Sequence, residues 1–434
     1  MIRRQLERVV DFEEGEFLPA LLAGLYFFCL LFGYFMLRPL RESMGLEGGV
    51  DRLRWLYVGT LVSIIVINVI YGALVSKVER RRFIPIVYRF AIACLLVFLG
   101  LLLWRGDELG ATVGSVFYVW LSAFNVFTLT VFWGFMADTF TLEQGKRLFG
   151  FIGLGGTLGA LAGSTYAWQL AGLLGPVGLM LSAAVLLECA TQLARRLGTL
   201  AARRSQEEAR EEVEPVGGVS WSGITRVLQS PFLRGIAIYI LVFTVMSTLL
   251  YFEKMRIVDE TVEGLNKRTE VFAGIEVLAQ SLTILVQVFL TARLMRWFGV
   301  GSLLAVVPAV SLVGFSWLTL APSLLAVTVF EATRKACNYG VSKPARETLF
   351  TVVSRDEKYK AKGVIDTFVY RTGDSVGTLV DKPIHAAAVA LAAVALPLAA
   401  LGVGLAVWLG LAEKRRAEAD DLESPDESPE PQLA

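Results

Sequence analysis

The chain has 434 residues, 55% of them hydrophobic and 19% charged, and a formal net charge of +1. Its mean hydropathy is +0.59, and its apolar share exceeds the roughly 45–50% of soluble domains. Near-neutrality argues against a nucleic-acid partner. A single histidine, His385, and four scattered cysteines without paired spacing argue against a His-based triad, a metal cluster or a disulfide framework. No cofactor is expected.

In chain order, apolar runs near 20 residues recur, the length that crosses about 30 Å of hydrocarbon at 1.5 Å per residue. The first 20 residues carry acids ahead of their apolar run and no small-residue cleavage site, so the first span is read as retained. Spans are expected near 17–38, 53–76, 83–104, 111–136, 148–172, 176–196, 232–252, 270–292, 299–320, 322–350, 363–385 and 388–412. The long polar interruption 197–230 reads as a cytoplasmic linker between six-helix bundles at 1–196 and 231–412. The acidic, Pro- and Ser-rich tail 413–434 is expected to be disordered.

Lys and Arg concentrate in alternate loops: Lys77 with Arg80–Arg82, Lys146 with Arg147, the 195–210 cluster, Arg293 with Arg296, Arg355 to Lys362, and Lys414–Arg416. The positive-inside rule then places both termini in the cytoplasm, with the chain multi-pass in the cell (inner) membrane.

The two sets of six read as a duplication. Gly150 and Gly363 stand 213 residues apart, as do Arg147 and Lys360, and Arg41 and Lys254. Parallel six-helix repeats build the major facilitator fold. The loop 72–82, with Gly72, Leu74, Lys77 and Arg80–Arg82, resembles the basic loop motif of that fold; Ser76 and Glu79 depart from it.

Charges at membrane depth cost at least about 2.5–3.5 kcal/mol, so they face a cavity or a partner. Tyr34, Arg38 and Arg41 share one face at the end of the first span, where Pro39 is expected to weaken the helix. Glu276, Gln280, Thr283 and Gln287 form a stripe on the eighth. On the tenth, Glu331, Lys335, Asn338, Ser342 and Arg346 share a stripe flanked by Arg334 and Lys343. Pro344 and Gly340 suggest a bend there. The eleventh carries Asp366, Tyr370, Arg371 and Asp374. A surplus of Arg and Lys points to an anionic substrate, since Arg grips phosphate or carboxylate bidentately. Tyr26, Tyr34, Tyr239 and Phe243 either stack on a planar ring or serve as packing. The run 153–163, GLGGTLGALAG, lacks the GK[ST] of a phosphate loop and reads as a close-packing surface, which argues against an ATP-driven pump.

The stretches YFMLRPLRESMG, FWGFMADTFTLEQGKRLFGFIGLGGTLGALAG, YFEKMRIVDE and EATRKACNYGVSKPARETLFTVVSRDEKYKAKGVIDTFVYRTGDSVG resemble bacterial relatives of the ATP/ADP translocase family, the nucleotide carriers of plastids and intracellular bacteria. The likeness runs from about 17 to 412 and is strongest in spans ten and eleven. It implies a facilitator-type fold and exchange of ATP for ADP plus phosphate, or carriage of another nucleotide. The characterised branch relies on intramembrane Lys and Glu. Here Arg38, Arg41 and Glu42 end the first span, and Glu253 and Lys254 end the seventh.

The expectation is an all-α membrane protein of about twelve spans that works by alternating access as a monomeric secondary transporter. Arg38, Arg41, Lys254, Arg334, Lys335, Asn338, Arg346 and Arg371 are the candidate substrate-binding residues. Glu276, Asp366 and Asp374 are candidate partners of those cations in the empty site. Asp138, Lys146 and Arg147 read as a cytoplasmic gate or brace. A proton-coupled carrier of another anionic or drug-like solute, and a non-transporting scaffold or sensor, remain alternatives. No nucleophile–base pair argues for an enzyme.

Overall fold

The computed structural model describes residues 12–13, 15–75, 80–205, 221–353, 361–386 and 391–423. Within these, the side chains of 68–75, 80–82, 105–109, 142, 146, 202–205, 221–223, 367, 385–386, 417 and 419–423 are not described. Lys77, Lys358, Lys360, the middle of the 197–230 linker and the tail past 423 therefore lie outside the described residues, as do the side chains of Lys146 and Arg80–Arg82. Among the described residues there is no strand.

The helices are α1 (Phe17–Leu46), α2 (Gly49–Val75), α3 (Arg80–Thr139), α4 (Leu142–Ser205), α5 (Trp221–Gln229), α6 (Pro231–Thr261), α7 (Leu265–Phe289) and α8 (Thr291–Leu320). They continue as α9 (Leu324–Cys337), a π-helical turn (Asn338–Ser342), α10 (Lys343–Thr348), a second π-helical turn (Val364–Val369), α11 (Tyr370–Ala386) and α12 (Leu391–Glu423). Two of them hold two spans each. In α3 the apolar stretches are Phe83–Trp104 and Gly110–Thr139. In α4 Gly175 takes φ 59°, a left-handed value that breaks the helix ahead of Pro176. Among the described residues eight helical stretches are long and apolar enough to cross a membrane; α2, the α9–α10 segment and the segment ending in α11 stand at other positions where spans are expected. The fold is all-α and built of two six-helix pseudo-repeats.

Two expectations are corrected. Helix α1 does not end near 38; it continues through Pro39 to Leu46. Proline removes one backbone donor, but flanking helices can re-satisfy the freed carbonyl in a membrane protein. Likewise α12 runs to Glu423, so residues 413–423 are helical rather than part of a disordered tail.

Contacts divide the chain into two compact units, Met1–Glu214 with Met255–Gln280, and Pro215–Lys254 with Ser281–Ala434. The division falls inside α6 and α7 rather than only in the linker. Within the first unit the far parts of those helices pack on α1 and α4. Thr269 donates to Ser43 Oγ at 3.0 Å, and a Cβ on Gly274 would stand 3.3 Å from the Trp168 ring nitrogen.

The most extensive contact of the first unit joins α1 to α4. Gly155, Gly159 and Gly163 recur every fourth residue and so share a face. A Cβ on each would collide with a backbone carbonyl of α1, at Gly24, Phe28 and Phe32. Small residues let backbones approach closely in lipid, where helix association depends on packing rather than on the hydrophobic effect. Phe27 and Phe132 stack beside this seam, centroids 4.2 Å apart and 9° between planes.

Replacing Gly159 by Leu should destabilise the protein by about 1–3 kcal/mol or more, the cost of overpacking. Gly150→Ala, where nothing lies within 4 Å, should leave the melting temperature in detergent unchanged.

Candidate functional site

In the first unit the cations sit at the end of α1. Arg41 is 9% exposed. It pairs with its neighbour Glu42, donates to Ser122 Oγ at 3.0 Å and lies 4.9 Å over the Tyr118 ring. Arg38 pairs with Glu276 of α7 at 3.4 Å. Both expected ligand-binding arginines of this unit therefore have carboxylate partners.

The second unit is different. The buried carboxylate of Glu331 accepts on one oxygen, Oε1, from Lys254 at 3.0 Å and from Lys335 at 2.8 Å. Its other oxygen, Oε2, is buried without a hydrogen-bond partner. One turn further along the helix Arg334 is also buried, at 6% exposed. It donates to Ser247 Oγ at 2.7 Å, to the Phe243 carbonyl at 3.1 Å and to Ser311 Oγ at 3.2 Å. Its guanidinium lies 4.8 Å over the Phe243 ring, and no carboxylate among the described residues pairs with it. Arg346 stands 3.8 Å from Asp366, with its Nε buried and unpartnered. Arg371 pairs within its own helix with Asp374 at 3.4 Å, and Thr248 donates to Asp374 at 3.3 Å. Lys343 lies 5.8 Å over the Tyr339 ring and joins no ion pair among the described residues.

The local backbone explains why these cations share one segment. Ser323 caps α9, accepting from the Ala326 amide at 3.2 Å. The helix then widens to a π-helical turn, in which Lys343 N donates to Asn338 O. Pro344 has no N–H for the Gly340 carbonyl; Thr291 Oγ1 donates to that carbonyl instead, at 2.5 Å. Gln287 donates to the Tyr339 carbonyl at 3.3 Å. The bend expected from Gly340 and Pro344 is thus a widened turn whose released carbonyls are met by side chains of α7 and α8. The segment ahead of α11 carries the second such turn, bearing Asp366.

The 213-residue register extends into these contacts. Arg41 touches Tyr118 and Ser122; their counterparts in the second repeat are Glu331 and Lys335, and Glu331 is the group that Lys254 touches. Tyr26 and Tyr239 also correspond, each buried and hydrogen-bonded: Tyr26 to the Tyr88 hydroxyl, Tyr239 to the Leu304 carbonyl at 2.8 Å. Where the second repeat has a carboxylate the first has a phenol, and Arg41 pairs with its sequence neighbour Glu42.

No protein-family model and no curated protein matches the chain by sequence. Solved structures do match. An auto-inhibited peptide transporter of the POT family aligns with a TM-score of 0.59 at 13% identity, over 96% of this chain and 99% of that one. A point mutant of the nucleoside transporter NupG gives 0.54 at 13%, over 92% and 99%. A bacterial homologue of the human lysosomal transporter Spinster, inward-facing and unoccupied, gives 0.53 at 11%, over 94% and 98%. The fold is that of the major facilitator transporters.

Within this facilitator fold the remaining candidates divide. Arg147 pairs with Glu13 at 2.7 Å and with Glu16 at 3.1 Å, and Gln144 donates to Glu16 at 3.0 Å. Thr141 and Gln144 cap the start of α4 reciprocally. Asp138 is exposed nearby in sequence. Arg147 therefore braces the approach to α1, while the Lys146 side chain lies outside the described residues. The Asn338 side chain makes no hydrogen bond among them. Sequence reasoning left out Glu331 as a site member, together with Ser247 and Ser311. The first was visible on the stripe of span ten; the two serines carry no signal apart from their contact with Arg334.

Replacing Glu331 by Gln removes the carboxylate that buried Lys254 and half-buried Lys335 share. Breaking a buried ion pair from one side costs about 3–5 kcal/mol. Thermal melts in detergent should show a comparable loss for Glu331→Gln, and Glu331→Gln with Lys335→Gln should recover part of it. Equal stability of the two variants would sink the shared-carboxylate account.

Proposed function

We propose that this chain is a secondary transporter that carries an organic anion, a nucleotide in ATP/ADP-type exchange, by alternating access across the cell (inner) membrane, with both termini cytoplasmic. The observation that carries the reading is the sharing of one carboxylate, Glu331, by Lys254 and Lys335, next to an Arg334 that joins no ion pair among the described residues. The likeness to transporter structures and the resemblance of spans ten and eleven to the ATP/ADP translocase family support it.

The chemistry follows from the charges. The two ammonium groups meet on one carboxylate oxygen in water-poor surroundings, where any unbalanced charge is expensive. A phosphate takes one or both lysines with stronger, charge-assisted bonds. Glu331 then loses a partner and must repack. A ligand shifts a conformational equilibrium only through contacts that differ between its states, and this change of partners is such a difference. Arg346 and Lys343 extend the basic surface towards the widened turn, where Asp366 holds Arg346 only at 3.8 Å. Arg38 and Arg371, each paired at 3.4 Å, stand ready to exchange partners in the same way.

Purified protein in liposomes loaded with ADP should take up labelled ATP by counterflow without an imposed proton gradient. Lys254→Ala and Lys335→Ala should each lower that rate at least tenfold, with protein of normal melting temperature. Uptake of another solute that needs a proton gradient, with no nucleotide exchange, would favour the proton-coupled alternative. Full exchange in both lysine variants would refute the site.

A further inference from the structure

Four charged side chains named above, Arg41, Lys254, Glu331 and Arg334, are buried among the helices. Arg89 and Glu188 depart from that pattern. Their side chains are 52% and 39% exposed, although each stands in a stretch long and apolar enough to cross a membrane. They pair across two helices of the first unit. Arg89 of α3 donates from Nη2 to Glu188 Oε1 at 3.1 Å and from Nε to Oε2 at 3.4 Å. Gln192, one turn further along α4, donates to Glu188 Oε1 at 2.5 Å.

Depth makes this exposure unusual. Arg89 lies about 9 Å along the helix from Phe83, where its apolar stretch starts. Glu188 lies about 10 Å before the basic pair Arg195 and Arg196. An arginine snorkels towards headgroups; a glutamate, with two methylenes, is too short to. Charges within spans almost always face the protein interior, and apolar side chains in place of an ion pair are often neutral or stabilising. A pair turned outwards therefore calls for a partner in the lipid. Its surroundings are graded along the helix axis. The third and sixth spans cross in opposite senses, so exposed Phe90 and Val97 on α3 lie towards the same side as exposed Leu181 and Val185 on α4. On the other side, exposed Gln192 and Arg195 follow Glu188 at i+4 and i+7 on one face. An apolar lane that leads to a cation and an anion side by side fits a molecule with acyl chains and a headgroup of both signs.

We propose that Arg89, Glu188, Gln192 and Arg195 form a headgroup site for a zwitterionic phospholipid with a primary amine. The phosphate sits on the two arginines and the ammonium on Glu188. The donors and acceptors needed are present. Arg89 Nη1 makes no hydrogen bond among the described residues, and Glu188 Oε2 accepts one where an oxygen takes two. A choline headgroup has no N–H for Glu188, and an anionic headgroup without an amine sets its phosphate against that carboxylate. The site lies on the lipid-facing wall and stands whatever solute the chain carries.

Native mass spectrometry of the full chain, purified and delipidated in detergent, tests it with three probes of equal acyl chains: phosphatidylethanolamine, phosphatidylcholine and phosphatidylglycerol. Wild type should hold the ethanolamine lipid about tenfold more tightly than the choline lipid, the effect of one hydrogen bond to a charged group, and more tightly than the glycerol lipid. Glu188→Gln should erase the preference for ethanolamine over choline, and Arg89→Gln should weaken all three. Melting without lipid shows whether the variants fold. If either does not, monomethyl- and dimethylethanolamine lipids on wild type take its place, and affinity should fall with each lost N–H; a flat series refutes the site. So does wild type that binds ethanolamine and choline lipids alike, or a preference that survives Glu188→Gln. A wild-type dimer that both variants turn into a monomer also overturns it, because a second copy would then occupy the pair.

Discussion

A charge taken out of water needs either a partner or a purpose, and in the second unit two lysines meet on one oxygen of a buried carboxylate. Glu331 holds two lysines through one oxygen, and among the described residues Arg334 is held by hydroxyls, a carbonyl and a ring. Such an arrangement is a poor source of stability, because desolvation offsets much of the Coulomb attraction. Its persistence constrains everything near it. Helix α9 must present its cations to α6. The turn after it must widen past Pro344, and α7 and α8 must supply Gln287 and Thr291 to the carbonyls that this widening releases.

Duplication explains how the same scaffold carries two different interiors. Arg41 and Lys254 occupy one register, as do Tyr26 and Tyr239, and the contacts around each pair follow the register as well. What changes is the residue opposite. A phenol and a serine in the first repeat become a carboxylate and a lysine in the second; a leucine, Leu121, becomes the buried Arg334. One backbone thus supports different charge pairings in its two units: Arg41 with its neighbour Glu42 in the first, Lys254 with Glu331 of a distant helix in the second.

Much of this was legible in the sequence, for physical reasons that differ by feature. Span count came from the bilayer's thickness, which fixes the length of an apolar run. The glycine run at 153–163 read as a packing surface because no side chain at those positions can do anything else. The stripe Glu331–Lys335 was visible because α-helical spacing puts i and i+4 together. Partners from distant elements were not visible: Lys254 for Glu331, Ser247 and Ser311 for Arg334, Glu13 and Glu16 for Arg147. Local composition also misled at Pro39, where a soluble helix would tend to end and this one continues to Leu46, and past 413, where an acidic segment prolongs α12.

The seam of α1 against Gly155, Gly159 and Gly163 has a mechanical meaning. Two helices whose main chains touch have no compliant layer of side chains between them, so neither slides nor rolls without the other. They behave as a single stiff spar. Whatever displacement is imposed at Arg38 and Arg41 is therefore delivered undamped to the start of α4, where Arg147 and the two glutamates ahead of α1 are clasped.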